Sequence, residues 1–191
     1  MATKPSPPSA AELWARLEAL PENLKGEIID GELHVRPRPR FRHARTATFL
    51  GRHLGGGFDF DDGGPGGWWI LVEPGIELPN APEVSPDLGG WKRERMPTPP
   101  DDEPIRLVPD WVCETLSRSN ARYDRTVKLP FYARVGVPWL WLVDPRDHTL
   151  DVYRLHEGKW VLLRSFGEEA SARIEPFDAI EIPLGRMWLP P

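Results

Sequence analysis

The chain has 191 residues, enough for one domain with a sizeable core, and its 28% charged and 40% hydrophobic content is ordinary for a folded chain. A formal net charge of −5 argues against an indiscriminate nucleic-acid binder, while leaving room for a local basic groove. The single cysteine, Cys113, forbids an internal disulfide, 23 prolines imply short elements joined by fixed turns, and no apolar run approaches the roughly 20 residues that cross a bilayer.

Residues 1–8 are proline-rich and read as a disordered tail; residues 9–191 read as a single domain. The opening MATKPSPPSA lacks the apolar stretch of a secretion signal, so a cytoplasmic, reducing location is expected. Ser9 and Glu12 have capping-box spacing ahead of Leu13, Leu17 and Leu20, which predicts a helix over about 10–20, closed by Pro21. From Glu27 to Val35 the pattern is a β-hairpin with Asp30-Gly31 at its turn. A basic strip from Arg36 to Arg45 then leads into a helix from His43 to about Leu54, which Gly55-Gly56-Gly57 is expected to end. Residues 55–67 read as a loop. Trp68 to Leu78 reads as a strand pair broken near Pro74-Gly75, Glu83 to Leu88 as a short element, and Lys92 to Pro104 as a connection.

Trp111 to Leu116 has the β-branched and apolar content of a strand, followed by a helix from about Tyr123 to Val135 that Gly136-Val137-Pro138 stops. The unbroken apolar run Trp139 to Val143 fits a strand covered on both faces. Two more strands, about 149–155 and 159–166, are joined at Glu157-Gly158, and the tail from Ile174 to Trp188 reads as one further edge piece. Cys113 and the tryptophans of the strand-like runs are packing residues. The alternation of helices and strands gives an α/β fold around a mixed sheet.

Alternation within Trp111–Leu116 sets Glu114 between Val112 and Leu116, and a buried carboxylate is costly unless a cation or several donors meet it. The candidate set is therefore Asp87, Glu114 and Lys128, with Glu32 and His43 as outer members. Two carboxylates can hold a divalent ion that lowers the pKa of its water and acts as a Lewis acid, and a nearby ammonium can orient that water or stabilise a phosphodiester transition state. Oxygen ligands alone suit Mg²⁺ or Mn²⁺, and no Cys/His cluster suits zinc. Each residue also has a plainer reading. Asp87 follows Pro86 and could be a turn residue, Lys128 could pair with Asp124 one helical turn earlier, Glu32 could be solvated, and His43 could be a helix cap. Arg36, Arg38, Arg40, Arg42 and Arg45 could line a groove and neutralise phosphates, or form a solvated proline–arginine loop.

Ile29-Asp30-Gly31-Glu32-Leu33, Ser85-Pro86-Asp87, Glu114-Thr115-Leu116-Ser117, the block Tyr123 to Ala133, Gly136-Val137-Pro138 and Trp141 to Pro145 resemble, in order, the Uma2 family of restriction-endonuclease-like proteins within the PD-(D/E)xK nuclease superfamily. The resemblance implies a restriction-endonuclease-like core, a mixed β-sheet flanked by α-helices, with an extra C-terminal β-hairpin. It implies that Asp87 is the proline–aspartate acid, Glu114 the second acid, and Lys128 a lysine displaced onto the following helix, its usual place being taken by Leu116. Where such chains often carry proline, this one has Arg118. The expectation is a Mg²⁺- or Mn²⁺-dependent endonuclease acting on DNA, or else on RNA. The alternative is a non-catalytic binding or dimerisation module on the same fold. Cutting both strands of a duplex needs two sites, which points to a homodimer. No membrane partner is expected.

Overall fold

In the computed structural model, which describes residues 7–101, 103–168 and 170–189, the Ser9 hydroxyl accepts from the Glu12 N–H while the Glu12 carboxylate accepts from the Ser9 N–H. This reciprocal cap starts helix α1 (Ala10–Glu18). Most of the expected N-terminal tail, residues 1–6, lies outside the described residues. Strands β1 (Leu24–Ile29) and β2 (Glu32–Pro37) form the expected hairpin. Asp30 at φ 54° and Gly31 at φ 75° give its turn the left-handed geometry of type I′.

Helix α2 (Phe41–Phe58) runs straight through the glycine triplet that was expected to end it. The glycines serve packing: a methyl on Gly55 would sit 2.8 Å from the Phe60 ring, one on Gly57 would sit 2.8 Å from Ile180, and Gly64 closes onto the Gly57 backbone. Next come β3 (Trp68–Val72), β4 (Ile76–Leu78), β5 (Ala81–Val84) and β6 (Leu88–Lys92). Strand β6, with Gly89-Gly90 at its centre, fills the gap that the sequence pattern leaves unassigned between the Glu83–Leu88 element and the connection from Lys92. Those glycines make room for the rings of Trp91 and Trp111, which a side chain on either would crowd.

The chain continues through β7 (Trp111–Thr115) into α3 (Ala121–Tyr123), a π-helical turn (Asp124–Lys128) and α4 (Leu129–Val135). It finishes with β8 (Trp139–Asp144), β9 (Thr149–His156) and β10 (Lys159–Phe166). A six-stranded sheet has the order β10-β9-β8-β7-β6-β3, with β7 and β8 parallel and its other pairs antiparallel, so it is mixed as expected, and β9–β10 is the appended hairpin. A second sheet has the order β2-β1-β5-β4.

The large sheet is covered on both faces. Trp111, Cys113, Trp141 and Val143 pack with Leu50, Leu54 and Phe58 of α2, whereas Val112, Leu116, Leu140 and Leu142 pack with Phe131 and Tyr132 of α4 and with residues of the small sheet. The tail forms no edge strand. Apart from a single bridge, Ala172 to Ile182, and one turn of 3₁₀ helix at Leu184–Arg186, it is irregular, and its Ile174, Phe177, Leu184 and Met187 complete the α2 side of the core. No helix among the described residues is long and apolar enough to cross a membrane.

Candidate active site

Glu114 lies on the central strand β7 and is fully buried, on the face that carries Tyr132. Its Oε1 accepts from the Lys128 ammonium at 2.6 Å and from the Tyr132 hydroxyl at 2.7 Å. Lys128 therefore does not make the helix-surface pair with Asp124 that spacing alone allowed. Its Nζ also lies 3.2 Å from Glu27 Oε1 and donates to the Ser85 carbonyl at 3.0 Å. The π turn is what supplies this geometry. Leu129 N–H reaches back to the Asp124 carbonyl, five residues away, which widens the turn so that Tyr123, Asp124, Lys128 and Tyr132 all meet one buried cluster.

Glu27 was not anticipated as a site residue, although it carries the same signal as Glu114: an acid within an apolar strand. It is fully buried and accepts from the Ser85 N–H at 2.8 Å, from the Tyr123 hydroxyl at 3.0 Å and from Arg36. Arg36 also reaches Asp124 at 3.5 Å and lies over the Tyr123 ring. Four buried acids, Glu27, Asp87, Glu114 and Asp124, thus face two largely buried permanent cations, Lys128 and Arg36. The surplus of negative charge sets the titration. Burial pushes Glu114 up, and the charges of Asp87 and Glu27 add to it against the pull of Lys128. Burial and Glu114 push Asp124 up to about 8. Burial would lower the Lys128 ammonium, but Glu114 and Glu27 outweigh it and hold it above its usual range. Glu27 stays below the usual carboxylate range because Lys128 and Arg36 overcome its burial.

Asp87 immediately precedes β6. The β6–β7 ladder pairs Leu88 with Cys113, so Asp87 comes beside Glu114, and its Oδ2 accepts from the Thr115 N–H at 2.6 Å. His43 Nε2 lies 3.0 Å from its Oδ1. Against its burial, these contacts and the charge of Lys128 lower its pKa. Asp87 and His43 both line a cleft of about 390 Å³. Lys25, Arg36, Arg38, Arg40, Arg42, Arg118 and Arg146 also line it, against the acids Glu73 and Asp87, so a chain of net charge −5 concentrates positive charge here.

The alternating arginines therefore share a cleft from Arg36 to Arg42. Arg45 does not line it and donates to the Arg186 carbonyl at 3.1 Å. Glu32 stands apart too: it is exposed at the hairpin, opposite Ile29, and is absent from the cleft lining. Tyr132 could have been found from sequence, since it lies one helical turn after Lys128; no local signal marks Arg36 as an internal partner.

The sequence matches the Uma2 family, described as "putative restriction endonuclease", over residues 12–185. The chain belongs to the Uma2 family. A crystal structure of a "putative nuclease belonging to DUF820" from Anabaena variabilis superposes with a TM-score of 0.71 at 21% identity, covering 93% of this chain and 98% of that one. It shares the fold of this Uma2 chain. A search of curated proteins finds none that matches.

The donor set of this Uma2 chain can be tested against the divalent ion that the nuclease fold implies. Glu114 Oε2 is buried without a hydrogen-bond partner, beside Asp87 and within a surplus of carboxylates. Among the described residues no group of three or more His, Cys, Asp or Glu forms an all-protein cage. Two carboxylates with the remaining positions left to backbone oxygen, water and substrate phosphate is the pattern of Mg²⁺ or Mn²⁺, and the residues present fit it.

Proposed function

We propose that this Uma2 protein is a Mg²⁺- or Mn²⁺-dependent endonuclease that hydrolyses DNA phosphodiester bonds. Asp87 and Glu114 would hold the ion, with the Thr115 carbonyl as a further oxygen. When bound, the ion would supply Lewis acidity and a water of lowered pKa. The observation that carries this reading is that Asp87 lines a cleft walled by arginines, while Glu114, its neighbour across the β6–β7 ladder, pairs with Lys128 directly behind it.

In this reading Lys128 stays protonated, its three N–H groups taken by Glu114, Glu27 and the Ser85 carbonyl, and it would act on the site through its charge. Tyr132 and Glu27 fix the lysine and Glu114 in place, and His43 orients Asp87. The arginines of the cleft hold the nucleic-acid backbone. Plasmid nicking with Mg²⁺ or Mn²⁺ is the test. Asp87→Asn and Glu114→Gln should each lower it by about a hundredfold or more. Retention of cleavage in both variants would remove these residues from the chemistry.

One observation favours the second reading, a nucleic-acid-binding module without catalysis. Glu114 and Lys128 are fully buried and pair with each other, so the acid is sealed beneath the cleft. That reading predicts no cleavage with any metal, together with binding that weakens steeply as salt rises. Calorimetric titration of Mn²⁺ into wild type and Glu114→Gln separates the two, because only the nuclease reading requires binding that the variant loses.

A further inference from the structure

Lys128 has no donor left for a phosphate. An ammonium offers three N–H groups, and those of Lys128 meet Glu114 at 2.6 Å, the Ser85 carbonyl at 3.0 Å and Glu27 at 3.2 Å. A phosphodiester entering the cleft must therefore take its hydrogen-bonding cation from the groups that line it. Most of these are committed. Arg36 is turned inward to Glu27 and Asp124, Arg38 to the Glu22 carbonyl, Arg42 to the Pro145 carbonyl and Arg146 to Asp144. Lys25 is shared between Ser85 and Glu73. Arg40 and Arg118 line the same cleft and have no hydrogen-bond or ion-pair partner among the described residues.

The chain holds these two in different places. Arg40 stands at the start of α2 as its N-cap residue. Arg118 leaves the strand of the acids: it comes four positions after Glu114 and three after Thr115, in the turn that follows β7. That turn is clamped. The buried Asn120 side chain accepts from the Ser117 N–H at 2.5 Å and donates to the Thr115 carbonyl at 3.2 Å, while the Thr115 N–H donates to Asp87. One residue thus ties the Arg118 turn to Asp87, and the exposed Arg118 side chain starts from a fixed point beside it. We propose that Arg118 grips the reacting phosphate, two of its N–H groups donating to the non-bridging oxygens beside Asp87, while Arg40 holds a neighbouring phosphate. A guanidinium fork matches two phosphate oxygens, and a cation fixed there acts most strongly on charge that develops during reaction. This deepens the nuclease reading and rests on it, since it supplies the direct phosphate contact that Lys128 does not make.

The test separates holding from chemistry. A labelled duplex 20-mer is titrated in EDTA across a series of salt concentrations, and plasmid nicking with Mn²⁺ is followed in a single turnover at saturating enzyme. Arg118→Ala and Arg40→Ala should each flatten the salt slope of binding by one phosphate's worth, about 0.9. Only Arg118→Ala should lower the saturated nicking rate, by about a hundredfold, with its melting temperature and its calorimetric Mn²⁺ affinity those of wild type. Arg118→Lys keeps the charge without the fork, so it should recover the salt slope and only part of the rate. Added guanidinium chloride, below denaturing concentrations, should restore part of the rate to Arg118→Ala and none to Asp87→Asn. An unchanged salt slope or saturated rate in Arg118→Ala, a rate that guanidinium does not restore, or a loss of Mn²⁺ binding in that variant would overturn the proposal and leave the nuclease reading standing. Absence of nicking by wild type with Mg²⁺ and with Mn²⁺ would overturn both.

Discussion

At the scale of single residues, the cluster below the cleft is held by donors whose removal can be measured. Tyr132→Phe takes away one of the two donors on Glu114 Oε1 and should destabilise the fold by about 1–2 kcal/mol in urea titrations. Glu27→Ala leaves Lys128 with Glu114 as its single carboxylate and Arg36 with only the longer contact to Asp124. Breaking a buried charge pair in this way should cost about 3–5 kcal/mol, read by the same titration. Asp124 gives a pH test. Its folded pKa of about 8 lies above its ordinary 3.8, so the folded state holds a proton that the unfolded chain releases across that interval. Its contribution is fully present below about pH 3.8 and is lost as pH rises through about 8. In EDTA, Asp124→Asn should flatten the decline in stability across that window and be the more stable form above it. A parallel pH dependence in wild type and variant would show that Asp124 is not the group responsible.

At the scale of elements, one glycine of α2 and one in the segment that follows it make opposite predictions. A methyl on Gly56 meets nothing closer than 3.5 Å, so Gly56→Ala should gain helix propensity and stabilise by about 0.5–1 kcal/mol. A methyl on Gly64 would collide with the Gly57 carbonyl, so Gly64→Ala should destabilise by about 1–3 kcal/mol. Thermal melts of the two variants read both signs. The same helix shows where the sequence was legible and where it was not. Capping spacing, the Asp-Gly turn and the apolar run of β8 are local signals, and the elements they predict are present. Gly55-Gly56-Gly57 misleads, because a contact that calls for glycine, Ile180 against Gly57, comes from far along the chain, outside any local window. The site divides in the same way. Glu114 was legible as an acid in a greasy strand and Lys128 as a cation on the next helix, whereas their joining to Glu27 depends on a π turn and on a second sheet folding back. The resemblance in residue order supplied what periodicity could not.

At the scale of the whole molecule, a chain of net charge −5 presents one cationic cleft, so its encounter with nucleic acid should be oriented as well as accelerated by charge. The core has a different asymmetry. Leu50, Leu54 and Phe58 of α2 are covered partly by Phe177, Ile182, Leu184, Met187 and Trp188, which come more than a hundred positions later in the chain. Truncation after residue 173 should therefore leave a chain that enters inclusion bodies, as measured by its soluble fraction on expression. For the intact protein, synthesis at roughly 5–20 residues per second means that the apolar stripe of α2 waits several seconds on the ribosome for its lid. A nascent chain in that interval should be a client for holdase chaperones.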